Sequence, residues 1–137
     1  MNRALFDINI PLDVLLTRQP HFAASAAALQ VVEEGKVEGY LAGHAITTIA
    51  YVLQRELGTQ AAHTALSELL LKLRIAPITE TVIRTALGLQ FDDFEDAVTH
   101  TAAAEVASGV IVTRNPDDFS LGTIPAVRPE VFLASLQ

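Results

Sequence analysis

Short apolar runs alternate along the chain with longer segments whose apolar residues recur every three or four positions. The run Arg3-Ala4-Leu5-Phe6 stops at Asp7, as a short buried strand does. Asn9 then offers an N-cap, and Pro11 is tolerated in the first turn of a helix through Leu12 to Leu16. Thr17 to Pro20 make a break. The Ala-rich stretch Phe22 to Glu34 predicts an amphipathic helix closed by Gly35. Val37 to Ala42 is a weaker strand signal ending at Gly43. From His44, the residues Ile46, Ile49, Ala50, Val52, Leu53 and Leu57 keep a helical period up to Gly58. Thr59 is expected to cap another helix, with Ala62, Leu66, Leu69, Leu70 and Leu73 on one face.

Arg74 to Ile78 reads as a strand, and its Pro77 favours an end or edge position. Thr79 or Thr81 opens a short helix to Leu89, and Asp93 to Ala107 is helical. Gly109-Val110-Ile111-Val112-Thr113 is the clearest buried strand. Ile124 to Val127 forms a short last strand, and Pro129 leads a helix through Leu136. Strands alternating with helices predict a mainly parallel sheet with right-handed crossovers. Helix pairs between the early strands predict a three-layer α/β/α sandwich. No repeat, linker or low-complexity tract divides the sequence, so a single domain over residues 1–137 is expected.

Composition narrows the chemistry. A length of 137 residues is enough for a layered core. The absence of cysteine removes disulfides, thiolate zinc sites and cysteine nucleophiles. No apolar run approaches the roughly 20 residues needed to span a bilayer, and an acid at residue 7 is wrong for a signal peptide. A cytoplasmic protein without membrane contact is expected. The net charge of −7 argues against a broad grip on nucleic acid. It does not argue against a nuclease, because carboxylates that bind cations add to that count. With only Lys36 and Lys72 as lysines, phosphate contacts fall mainly to arginines.

Three stretches place an acid or amide where a strand runs out: Asp7 with Asn9, Asp92 to Asp96, and Asn115 with Asp118. Ligands of open α/β sheets gather beyond the carboxyl ends of the strands. Carboxylates meeting there repel one another unless a cation holds them, so the pattern points to a divalent-metal site. Asp7 and Asn9 could serve only as helix caps, but buried apolar neighbours make Asp7 an expensive cap. Asp92 and Asp93 read as acids favouring a helix N-terminus, and Glu95 stays open. Asp96 shares a face with Asp93 and is surrounded by Phe94, Ala97, Val98, Thr101 and Ala102, so its carboxylate wants a cation.

Asn115-Pro116 is a turn signal, and Asp118 either caps that turn or serves the site. Arg114 contacts a phosphate or lies solvated, and Thr113 lends a hydroxyl or simply ends the strand. His21, His44, His63 and His100 lack metal-ligand spacing and read as surface or capping residues. There is no GxGxxG, P-loop or GxSxG motif, so nucleotide cofactors and serine-hydrolase chemistry have no support. The Asp7 region also fails the haloacid-dehalogenase pattern, since Asn9 and Pro11 stand where an Asp and a Thr are needed. A phosphorylation receiver needs a lysine after its last core strand, and neither lysine is there.

These residues resemble the PIN-domain family, which includes VapC-type toxins of bacterial toxin–antitoxin modules. The anchors are Leu5-Phe6-Asp7-Ile8-Asn9, Asp93-Phe94-Glu95-Asp96-Ala97, Ile111-Val112-Thr113-Arg114-Asn115 with Asp118-Phe119, and Arg128-Pro129-Glu130-Val131-Phe132-Leu133. The resemblance implies a Rossmann-like α/β/α domain and a Mg²⁺- or Mn²⁺-dependent endoribonuclease. Asp7 and Asp96 match the family's first and third acids, and Asn115 and Asp118 its last polar pair. Asp7, Asp96 and Asp118 would hold metal, with Asn115 as a fourth catalytic residue. Asn9, Thr48, Thr113 and Arg114 would orient water or RNA. Thr48 stands where the family commonly has a glutamate. A cognate antitoxin and a homodimer are implied partners. The depleted acid set leaves two alternatives: a non-catalytic PIN-fold module binding RNA or protein, and a small metal-dependent phosphatase.

Overall fold

The computed structural model describes residues 2–137. Strands β1 (Arg3–Phe6), β2 (Glu38–Ala42), β3 (Arg74–Ala76), β4 (Val110–Val112) and β5 (Ala126–Val127) form one sheet in the order β3-β2-β1-β4-β5. Every neighbouring pair is parallel. Helices α1 (Asn9–Leu15) and α2 (Phe22–Glu33) join β1 to β2, and α3 (Gly43–Leu57) and α4 (Thr59–Lys72) join β2 to β3. Helices α5 (Glu80–Leu87) and α6 (Phe94–Glu105) join β3 to β4. A 3₁₀ turn (Pro116–Phe119) precedes β5, and α7 (Pro129–Ser135) ends the chain. The expected α/β/α arrangement is present, with a sheet that is wholly parallel. None of the described helices is long and apolar enough to cross a membrane.

The central strand explains the layers. Successive side chains of a strand point to opposite faces, and Ala4, Leu5 and Phe6 are all buried. Ala4 and Phe6 pack with Ile10, Leu41, Leu53 and Val112, and Phe6 meets Phe132 edge-on at 5.8 Å. Leu5 faces the other way, into Tyr40, Val98, Ala102 and Ile111. A parallel sheet covered on both faces needs such near-continuous apolar strands. The edge strand β3 is followed by Pro77, which suits an edge.

Local signals set several boundaries. Gly35 has φ +76°, and Gly35 and Lys36 return hydrogen bonds to Val32 and Val31, closing α2. Thr79 caps α5 by accepting from the Val82 N–H at 3.2 Å. Two cap assignments are corrected. Asn9 is not the N-cap of α1: the chain turns directly after β1, so Ile8 holds that position and Asn9 is already helical. Thr59 likewise lies inside α4, because Gly58, at φ +86°, makes the turn from α3.

Asp13 is the feature the sequence pattern hid. It is fully buried on α1, accepts from Ser25 Oγ at 3.1 Å and lies 3.5 Å from the Arg114 Nε. Its second oxygen has no partner among the described residues. Arg114 is thus the counter-ion of an interior carboxylate, through its Nε, and is not simply a solvated surface arginine. Removing one partner of a buried pair leaves an uncompensated charge, so Arg114→Ala is expected to cost about 3 kcal/mol. Urea unfolding should show a lower midpoint at unchanged slope, and the joint change Asp13→Leu with Arg114→Met should recover most of the loss.

Candidate active site

Strands β1 and β4 end side by side, and Asp7 is the first residue beyond β1. Its N–H extends the ladder to the Val112 carbonyl at 2.8 Å. Its carboxylate is aimed from both sides: Oδ1 accepts from the Ile8 N–H and Oδ2 from the Thr113 hydroxyl, each at 2.9 Å. Thr113 is fully buried, and its oxygen also accepts from the Asn115 N–H at 3.1 Å. One hydroxyl therefore fixes both Asp7 and the start of the next loop. Burial raises the Asp7 pKa above the ordinary carboxylate value. The bonds from Thr113 and Ile8 oppose that rise, and Asp118 and Glu95 add repulsion.

Helix α6 reaches the same edge with its N-terminus. Asp93 caps it, accepting from the Glu95 N–H at 2.7 Å. Asp96, in the first turn, is half-buried, and the helix beyond it is buried from Ala97 to Ala103. Burial, followed by the charges of Asp93, Asp7, Asp118 and Glu95, pushes the Asp96 pKa up to about 7.

These side chains line a hollow of about 200 Å³. Asp7, Asn9, Asp96, Asn115 and Asp118 all face it, together with Asp93, Glu95, His44 and Thr99. A hollow of about 390 Å³ lies at the opposite, amino-terminal end of the sheet, but no acid lines it. Chemistry selects the smaller one. Thr113 lies beneath its floor, holding Asp7. Thr48 is exposed on α3, one turn beyond His44, and does not line the hollow.

Of the histidines expected in surface or capping roles, two reach inward, although His44 does lie at the expected helix start. His44 opens α3 just after β2, which brings it to the carboxyl edge, where its Nε2 lies 3.3 Å from Thr99 Oγ. His100 is buried. The signal for His44 was its place directly after a strand; His100 sits on the same helix as Asp96, one turn on.

A sequence model of the PIN domain matches residues 3–117. The chain belongs to the PIN-domain family. Three solved structures share the PIN fold seen here. One is VapBC2 from Rickettsia felis bound to a DNA fragment from their promoter, with TM-score 0.72 and 11% identity over 90% of this chain and 96% of that one. A toxin–antitoxin complex from Klebsiella pneumoniae gives TM-score 0.70 and 22% identity over 92% and 97% of the two chains. FitAcB from Neisseria gonorrhoeae gives 0.64 and 14%, over 93% and 98%. No curated protein matches the sequence.

A PIN domain of this family is associated with a divalent cation, and the residues present can be tested against one. Among the described residues, no three acidic or imidazole side chains are grouped closely enough to hold a metal ion as they stand. The donor chemistry nonetheless fits Mg²⁺ or Mn²⁺. All the acids offer hard oxygens, and Mg²⁺ keeps much of its water while taking one or two carboxylates directly. Burial first, and the neighbouring carboxylates second, raise the Asp7 and Asp96 pKa values, and a bound cation would offset both effects.

Two outcomes follow from this geometry. Thr113→Val orphans an oxygen of Asp7 and should destabilise the fold by about 1–3 kcal/mol, measured by urea unfolding. The second concerns pH. A carboxyl whose pKa rises from 3.8 to about 7 on folding favours the native state only while protonated. That contribution is full below the unfolded value and is lost as pH rises through about 7. Metal-free Asp96→Asn should therefore melt at a higher temperature than the parent at pH 8, and the difference should vanish near the unfolded carboxyl pKa of 3.8.

Proposed function

We propose that the protein is a Mg²⁺- or Mn²⁺-dependent endoribonuclease that hydrolyses RNA phosphodiester bonds, acting in the cytoplasm as the toxin of a toxin–antitoxin pair. The observation that carries this reading is the convergence of Asp7, Asp96 and Asp118, from three distant parts of the chain, on one acid-lined hollow. Asp7, Asp96 and Asp118 would hold the cation, with Asn115 beside them. A bound divalent ion supplies Lewis acidity, activation of water and neutralisation of phosphate charge.

The chain's own groups do the rest. Thr113 and the Ile8 N–H fix the direction of Asp7 before substrate arrives. The side-chain amides of Asn9 and Asn115 offer N–H donors to phosphate oxygens at the rim. The Arg18 guanidinium, 3.5 Å from Asn9 Oδ1, adds a cation beside an otherwise anionic opening. The carboxylates repel a bare phosphate, so RNA enters productively only when their charge is compensated. Thr48, outside the hollow, has no part in this reading.

Similar chains come from VapBC2, FitAcB and a toxin–antitoxin complex, which supports a cognate antitoxin as partner. Exposed apolar residues such as Tyr51 and Leu71 offer contact surface for an antitoxin or for a second copy in a homodimer. A second reading, a PIN module that binds without cutting, is favoured by two observations: among the described residues no three acids of the hollow are grouped tightly enough to hold an ion, and Thr48 lies exposed outside it.

The deciding experiment incubates purified protein with defined RNAs, with and without Mg²⁺ or Mn²⁺. Cleavage should require metal and disappear in Asp7→Asn and in Asp96→Asn while circular dichroism stays native. Survival of cleavage in both variants would sink the assignment. Calorimetric titration with Mn²⁺ separates the second reading, which requires no binding even at millimolar metal.

A further inference from the structure

His100 lies one helical turn beyond Asp96 on α6, but its ring turns away from the acid-lined hollow. Its Nε2 accepts from two consecutive backbone N–H groups, Thr123 at 3.1 Å and Ile124 at 3.2 Å. An imidazole nitrogen that accepts carries no proton, so the ring is neutral with its hydrogen on Nδ1, a buried atom without a partner. Phe91 packs on the ring with centroids 5.4 Å apart. Gly122 passes so close to it that there is no room for a Cβ.

The segment held this way is the return from the 3₁₀ turn that carries Asp118. That turn is fastened at its start by the Asn115 N–H on Thr113 and at its last residue by buried Phe119. Its far side is tied to α6 by His100. The same helix presents Asp96, so one ring links the backbones that carry two of the three proposed ligands. Losing the ring acceptor would leave two N–H groups unpaired and free the return to move relative to α6.

We propose that His100 is a positioning residue, fastening the 120–124 return to α6 and thereby setting where Asp118 stands relative to Asp96. The inference rests on reading those two acids as members of one cation site. It assigns His100 no contact with metal or RNA.

The test compares His100→Leu, which removes the acceptor, with His100→Gln, whose amide oxygen reaches about as far as Nε2. Gly122→Ala displaces the ring while keeping it. Amide hydrogen exchange at Thr123 and Ile124 reports the latch itself, and Mn²⁺ calorimetry reports the site. His100→Leu and Gly122→Ala should speed exchange at both amides and weaken Mn²⁺ binding about tenfold, as loss of an outer support does. His100→Gln should keep both properties close to the parent. His100→Leu should weaken Mn²⁺ binding little further in an Asp118→Asn background, and by its full factor in Glu95→Gln.

Faster exchange with unchanged Mn²⁺ affinity would overturn the positioning role, as would equal losses in both backgrounds. Unchanged exchange would overturn the latch. If the unaltered protein binds no Mn²⁺, the cation-site reading itself falls and takes this inference with it, a result distinct from any variant effect.

Discussion

Five carboxylates, Asp7, Asp93, Glu95, Asp96 and Asp118, share one hollow of about 200 Å³, and their repulsion is the constraint around which the edge of the sheet is built. Free side chains would relieve it by rotating into solvent. Here Asp7 is held by two hydrogen bonds, Asp93 by its cap, and Asp96 by a helix buried on nearly all sides. Burial and, after it, this repulsion raise the proton affinity of the acids, most plainly in Asp96, pushed to about 7. Protons and cations answer the same charge, so each competes with the other for the site.

Such an arrangement stands only on a scaffold stable for other reasons. Parallel strands all run out at one edge, so the topology alone brings distant residues together, and the apolar faces of β1 supply the anchorage. A second charge, Asp13, is buried beneath that edge. Its pairing with Arg114 ties α1 to the residue directly after Thr113. The hydroxyl that aims Asp7 and the guanidinium that neutralises Asp13 are thus neighbours in the chain. Disturbing either should be felt at both. A local role for Arg114 in substrate contact is harder to reconcile with that burial than a role in shaping the loop.

Much of this was legible before folding. Strand period, Gly35, Thr79 and Asp93 marked elements that appear where expected, because each signal is local: a φ angle, a cap, an alternation. The strand-end acids were legible for a topological reason, since only one edge of a parallel sheet collects them. What escaped depends on partners remote in sequence. Asp13 sits in a short apolar helix and looks like its solvent-facing residue until Arg114 arrives from the far end of the chain. His100 reads as any helix histidine, because the two N–H groups it accepts belong to a later loop. Asn9 was misassigned as a cap because the strand-to-helix turn is one residue tighter than the motif allows.

His44 brings α3 to the wall of the hollow. The Thr99 hydroxyl spends its single hydrogen on the Glu95 carbonyl at 3.0 Å, so its lone pairs face His44, whose Nε2 must be the donor. Nδ1 is then bare, and it is buried without a partner. The wall formed by α3 thus places an imidazole and no acid against the hollow, while Thr48 lies exposed outside it. One negative charge fewer eases the repulsion among the remaining acids and weakens their pull on a cation by the same electrostatics.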